Sequence, residues 1–148
     1  EPTWASDGRR LAWVVDAGTP LVPRRNLWIG ADDGSEARAL TVGDADAHEP
    51  DWADDGWVYF AARAFGRHDI FRVRPDDVVL GDATPALPVL RPGPAATAVE
   101  RMTDDISTEH DPRLSADGNM LAYAQTRTLD GATLQFAYSG LDGELRRQ

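Results

Sequence analysis

The chain has 148 residues, 42% of them apolar and 27% charged, a balance that suits a globular domain. Asp and Glu number 25 against 15 basic residues, a formal net charge of -10, which disfavours nucleic acid or an anionic membrane as a partner. The absence of Cys excludes disulfides, thiolate metal sites and Cys nucleophiles, and no apolar run approaches the ~18 residues of a membrane span.

The chain opens on Glu1-Pro2-Thr3-Trp4-Ala5-Ser6-Asp7-Gly8. Asp-Gly suits a tight hairpin, because Gly takes positive φ freely and Asp bonds its own backbone. An apolar strand follows over 11–14, then, after a loop, a second strand at Leu27-Trp28-Ile29 and a short last one at Ala37-Arg38-Ala39-Leu40-Thr41. The opening octad then recurs as Glu49-Pro50-Asp51-Trp52-Ala53-Asp54-Asp55-Gly56, followed by strands over 58–61, 70–73 and 100–103. A third copy, Asp111-Pro112-Arg113-Leu114-Ser115-Ala116-Asp117-Gly118, precedes strands over 121–124 and 136–138 and the start of a last one at 144–148. The prolines Pro2, Pro50 and Pro112 are offset by 48 and 62 residues. The longer offset holds an insertion over 78–99, whose Pro85, Pro88, Pro92 and Pro94 predict a stiff extended loop.

The strand runs are short, rich in β-branched and aromatic residues, and bounded by Gly, Asp and Pro. Helical periodicity is absent. Four short antiparallel strands per ~50 residues is the pattern of a β-propeller blade. An all-β chain of three four-stranded blades is therefore expected. Blade 1 covers 1–47, blade 2 covers 48–109 with the insertion 78–99, and blade 3 covers 110–148. Three blades do not close a ring. The exposed sides of blades 1 and 3 are expected to be covered, either by more blades of a longer chain or by a second copy in a six-bladed ring.

The thrice-repeated unit resembles the TolB-like family (PD40 or WD40-like repeats). That family's unit reads roughly Pro-x-Trp-Ser-Pro-Asp-Gly, a strand, Asp-Ile-Tyr-x-x-Asp-x-Asp-Gly, then Arg-Leu-Thr. Ser6, Asp54 and Ala116 replace its second Pro, and Leu114 replaces its Trp. The resemblance implies a non-catalytic scaffold for a protein or peptide partner, periplasmic or extracellular, and the acidic charge and the lack of an apolar span add the expectation of no nucleic acid and no membrane insertion. It also leaves two alternatives open. One is the gating propeller of a prolyl-oligopeptidase-like serine peptidase whose catalytic domain lies outside these residues. The other is a metal-dependent oligosaccharide lyase or sugar-binding propeller.

Candidate site residues fall in three groups. His48 and His110 hold equivalent repeat positions at the start of the innermost strand, with Glu49 and Asp111 beside them. They are candidates for a ligand or a divalent metal at the channel mouth, against the plainer role of a structural His bonding a neighbouring loop. Arg63, Arg67 and His68 form a second candidate patch, for an acidic peptide or sugar, and His68 is expected to face solvent. Asp44, Asp46, Asp54 and Asp55 surround the loop into blade 2 and are candidates for Ca²⁺, which takes six to eight oxygens, although no EF-hand spacing is present. Their plainer role is in hairpin turns and a solvated acidic rim. No catalytic residue and no other cofactor is expected, because no Gly-x-Ser-x-Gly, phosphate loop or His-Glu-x-x-His occurs. Trp4 and Trp52 are expected to pack between blades, as are Trp13, Phe60 and Tyr123 in one shared register and Trp28 and Phe71 in another. Trp57 has no counterpart in the repeat.

Overall fold

Four Asp-Gly turns recur with one geometry in the computed structural model of the chain, which describes residues 1–42, 46–64, 66–78, 99–104, 106–127, 133–140 and 145–146. Gly8, Gly34, Gly56 and Gly118 all have positive φ. Each of their N–H groups donates to a carbonyl three residues back, at 2.9–3.1 Å. The Asp before each Gly accepts the backbone N–H two residues on: Arg9 to Asp7 at 2.8 Å, Ser35 to Asp33 at 2.8 Å, Trp57 to Asp55 at 3.0 Å, and Asn119 to Asp117 at 3.1 Å. Asp bonding its own backbone is the chemistry that makes this dipeptide a turn signal. These bonds hold three of the carboxyls below the usual carboxylate range, chiefly the Arg9 N–H at Asp7 and the hydroxyls of Ser35 and Ser115 at Asp33 and Asp117.

The described residues hold twelve strands. The first sheet holds β1 (Thr3–Trp4), β2 (Arg10–Asp16), β3 (Arg25–Ala31) and β4 (Arg38–Ala39). The second holds β5 (His48–Trp52), β6 (Val58–Ala64), β7 (Arg67–Val73) and β8 (Val99–Arg101). The third holds β9 (Thr108–Leu114), β10 (Met120–Arg127), β11 (Thr133–Gly140) and β12 (Leu145–Arg146). Each sheet is antiparallel, with neighbours in chain order. A single 3₁₀ turn, Pro75–Asp77, is the only helical element among the described residues. Most of the insertion 78–99 lies outside them.

Blade 2 is covered on both sides, which accounts for its continuous apolar strands. Val58, Phe60 and Ala62 point one way and, with Phe71 and Val73, pack on Ala12, Leu27, Ile29 and Leu40 of blade 1. Tyr59 and Ala61 point the other way and, with Ile70, pack on Leu121 and Tyr123 of blade 3. Phe60 and Phe71 are each 1% exposed, so each contributes roughly 1.5–3 kcal/mol of burial. Trp57, unexplained by the repeat, has the guanidinium groups of Arg72 and Arg74 over its ring, 4.3 and 4.7 Å from the centroid.

The equivalent positions in blade 1 behave differently. Trp4, Trp13 and Trp28 correspond to Trp52, Phe60 and Phe71, yet Trp4 is 55% exposed and the other two are half-buried. Trp52 is buried because blade 1 lies against it. Among the described residues nothing lies in that place for Trp4. The repeat assigns a residue to a face, and only the neighbouring blade buries it.

The innermost strands are latched in series. Glu1 Oε2 accepts the Glu49 N–H at 3.2 Å, and Glu49 Oε2 accepts the Asp111 N–H at 2.9 Å. Two residues on, Thr3 Oγ1 accepts the Trp52 N–H at 3.1 Å, and Asp51 Oδ2 accepts the Leu114 N–H at 3.0 Å. A β-bulge aims these side chains. The β5–β6 register shifts between His48 and Asp51, and the β9–β10 register shifts in the same place of the repeat. Glu49 and Asp111 sit in the left-handed region at φ 53° and 51°, each followed by Pro. A non-Gly residue there is strained. Replacing exposed Asp111 by Gly is expected to leave stability unchanged or raise it by up to ~1 kcal/mol, because Gly removes that strain. Glu49→Gly removes the same strain and also the latch, and is expected to cost about 1 kcal/mol net. Urea midpoints of the two variants check the pair, and a shift of the same sign and size in both would remove the latch.

Two residues after the last strand of blade 1, and again after that of blade 2, stands a second repeated bond. Thr41 Oγ1 accepts the Leu27 N–H and Thr103 Oγ1 accepts the Ile70 N–H, both at 2.9 Å. Thr103 also donates to Glu109, a fully buried carboxylate that takes a further bond from Gln125 at 3.4 Å.

Candidate functional site

The start of β5 and the start of β9 lie side by side, because the latch holds Glu49 against Asp111. This brings His48 and His110 together, with ring centroids 5.6 Å apart. A third histidine joins them. β6 and β7 are joined by a tight turn at Gly66, φ 88°, which pairs Arg63 with His68 across the hairpin. His68 lies 4.7 Å from His48 in an edge-to-face contact and 5.3 Å from His110. The expectation that His68 faces solvent is therefore corrected: its side chain is 17% exposed, and the short hairpin folds it onto the inner strands.

Behind the histidines sits Asp46, 1% exposed, in the loop leading into β5. Arg25, from the start of β3 in blade 1, holds it with two bonds of 2.6 and 3.0 Å. Arg63 Nη2 lies 3.3 Å and His68 Nε2 lies 3.2 Å from its Oδ2. Burial alone would raise the Asp46 carboxyl, but the bonds from Arg25 and His68 hold it below the usual carboxylate range. The same contact with Asp46 raises Arg25. His68 is pulled down to about 4, first by burial and then by the neighbouring His48, against the pull of Asp46. At neutral pH its ring is thus uncharged.

The hydrogen-bond partners set which ring nitrogen carries the proton. A carbonyl or a carboxylate only accepts. His48 Nδ1 lies 2.8 Å from the Asp46 carbonyl, so it donates there and leaves Nε2 with the lone pair. His68 Nε2 donates to the Asp46 carboxylate and leaves Nδ1 free to accept. Glu49 Oε2 lies 3.7 Å from His48 Nε2 and 3.6 Å from His110 Nδ1.

Of the other residues singled out in the sequence, Arg63 belongs to this cluster and its side chain is half exposed. Arg67 does not: it lies on the other side of the hairpin, 3.4 Å from buried Asp69 and 3.8 Å from Asp104. Burial raises the Asp69 carboxyl despite Arg101 and Arg67 beside it. The four acidic candidates do not share one place. Asp46 precedes β5, whereas Asp54 and Asp55 follow it in the turn before β6, and Asp44 lies outside the described residues. Asp55 accepts a bond of 2.9 Å from the Tyr59 hydroxyl, whose pKa is raised to about 12, mainly by burial. The sequence did not point to Arg25 or to the role of His68. The proximity of Arg63 and His68 was visible only as spacing around a predicted hairpin.

No protein-family model and no curated protein matches the chain. Solved structures do. A TolB protein from Agrobacterium tumefaciens superposes with a TM-score of 0.67 at 20% identity, over 98% of this chain and 47% of that one. The fold is that of a TolB-like β-propeller. Similar blades occur in the AtxE2 isopeptidase, with a TM-score of 0.65, 14% identity, and coverage of 97% of this chain and 28% of that one. They occur also in the hydrazine synthase of Kuenenia stuttgartiensis, with a TM-score of 0.65, 15% identity, and coverage of 99% and 24%. The chain thus spans less than half the length of each of these proteins. No helix among the described residues is long and apolar enough to cross a membrane.

Proposed function

We propose that the chain is a non-catalytic propeller scaffold that binds a protein or peptide ligand where blades 2 and 3 meet. One observation carries this reading: His48, Glu49, His110, His68 and Arg63 converge at one end of the inner strands, apart from the two apolar clusters that pack blade 2 against its neighbours. Arg63 is the half-exposed cation of the group and has room for a ligand carboxylate. Further blades, from the same protein or a second copy, cover the Trp4 side of blade 1. A periplasmic or extracellular location goes with this role.

Selection of a displayed random peptide library on the purified chain tests it. The expected binders carry a carboxylate and lose about tenfold in affinity on Arg63→Ala, the size of one charge-assisted hydrogen bond. A library that yields no Arg63-dependent binder removes the reading. A second reading, a propeller belonging to a peptidase, draws on the likeness to the AtxE2 isopeptidase. A Gly-x-Ser-x-Gly motif encoded in the same gene would favour it.

A further inference from the structure

We propose that His48, His68 and His110 form a binding site for one divalent transition-metal ion of the zinc class, bridging blades 2 and 3. One ring nitrogen from each residue lies within 4.8 Å of the others. A tetrahedral ion with bonds of 2.0–2.1 Å sets its ligand atoms about 3.4 Å apart, so the ring nitrogens need to draw together by up to about 1.4 Å. Part of the frame is already at that spacing. Glu49 Oε2 stands 3.7 Å from His48 Nε2 and 3.6 Å from His110 Nδ1, and it supplies a fourth ligand or orders a bound water.

The outer atoms suit a metal as well as the inner ones. A metal-bound His donates its other N–H to a carbonyl or a carboxylate, which fixes the ring and its tautomer. His48 does this through Nδ1 to the Asp46 carbonyl, and His68 through Nε2 to the Asp46 carboxylate. One residue, Asp46, therefore orients two of the three rings, and Arg25 in turn anchors Asp46. Among the charged groups around the cluster, the carboxylates of Asp46 and Glu49 offset a dication, while Arg25 and Arg63, both paired with Asp46, oppose it. Three imidazoles select zinc, cobalt, nickel or copper over Ca²⁺ and Mg²⁺, which want oxygen. Without a metal, the same three rings would be only an aromatic contact between blades. The inference does not depend on a peptide ligand, and either can fail alone.

Titration of the untagged, chelator-stripped chain with Zn²⁺ and Co²⁺ tests it. The expected result is saturable uptake of one ion per chain, a visible Co²⁺ absorption band of a four- or five-coordinate site, and a rise in melting temperature with added Zn²⁺, because the ion binds only the folded arrangement. Ca²⁺ and Mg²⁺ are expected to shift nothing. His110→Gln and His68→Gln should each weaken Zn²⁺ binding at least tenfold while the circular dichroism of the metal-free protein stays unchanged. His110 is the safer of the two, because its side chain is 31% exposed. Absence of saturable uptake by the parent chain overturns the proposal. So does uptake of equal affinity in a folded variant of either His.

Discussion

Trp52→Ala is expected to destabilise the chain by about 3–5 kcal/mol, and Trp4→Ala by no more than about 0.5 kcal/mol. Both residues occupy the same place in the repeat, after Pro and before the Asp-Gly turn. They differ only in what covers them. Trp52 is 7% exposed, packs in the cluster shared with Ala12, Leu27 and Leu40, and has the Arg10 guanidinium 5.0 Å from its ring. Its removal leaves a cavity between two blades that the surrounding β-sheets relax into only partly. Trp4 is 55% exposed and loses little. Urea unfolding of the two variants at low protein concentration measures the difference. Equal costs would mean that the outer side of blade 1 is covered in solution, and a concentration-dependent midpoint would then identify a second copy as the cover.

That contrast also shows how far the residues alone lead. The three octads and their Asp-Gly turns dictate hairpins at fixed places, because the Asp–backbone bond and the positive φ of Gly are local requirements. Alternation along 58–62 then sends Phe60 and Tyr59 to opposite faces, so a blade covered on both sides was legible from composition and spacing. The site was legible in part. His48 and His110 share a repeat position, and equivalent positions in neighbouring blades are neighbours in space. His68 belongs to no repeat position. It reaches the pair only because Gly66 closes a shorter hairpin than the corresponding loop of blade 1, and that loop length has no signature until the strand register is known. The left-handed conformation of Glu49 and Asp111 was hidden for a different reason. A residue before Pro is ordinarily extended, and here interblade latching overrides the local preference. Asp46, read as one of several loop carboxylates, has partners 21, 17 and 22 residues away in sequence. No short-range pattern connects them.

Asp46→Asn is expected to cost about 2–3 kcal/mol. Asn keeps the shape of the side chain and tolerates the left-handed backbone, φ 51° at this position, so the loss isolates the charge. That charge is buried and shared by Arg25, Arg63 and His68. Breaking a fully buried ion pair costs about 3–5 kcal/mol. The figure is smaller here because the side chains of Arg25 and Arg63 are 34% and 50% exposed, and water takes up part of their lost pairing. Asp46→Ala is expected to cost ~1 kcal/mol more than Asp46→Asn, because Ala has no side-chain acceptor and is strained at positive φ. A double-mutant cycle with Arg25→Gln separates the ion pair from the rest, with an expected coupling of at least about 1 kcal/mol. The loop that Asp46 fixes joins blade 1 to blade 2, and the Ala47 N–H donates to the Arg25 carbonyl at 2.9 Å. The carboxylate therefore ties the blade junction and the orientation of His68 to one anchor. Stability and His68 ring position should fall together in Asp46→Asn, the second read from the His68 imidazole resonances. An Asp46→Asn variant within about 0.5 kcal/mol of the parent, with unshifted His68 resonances, would show that the two arginines hold the loop without the charge.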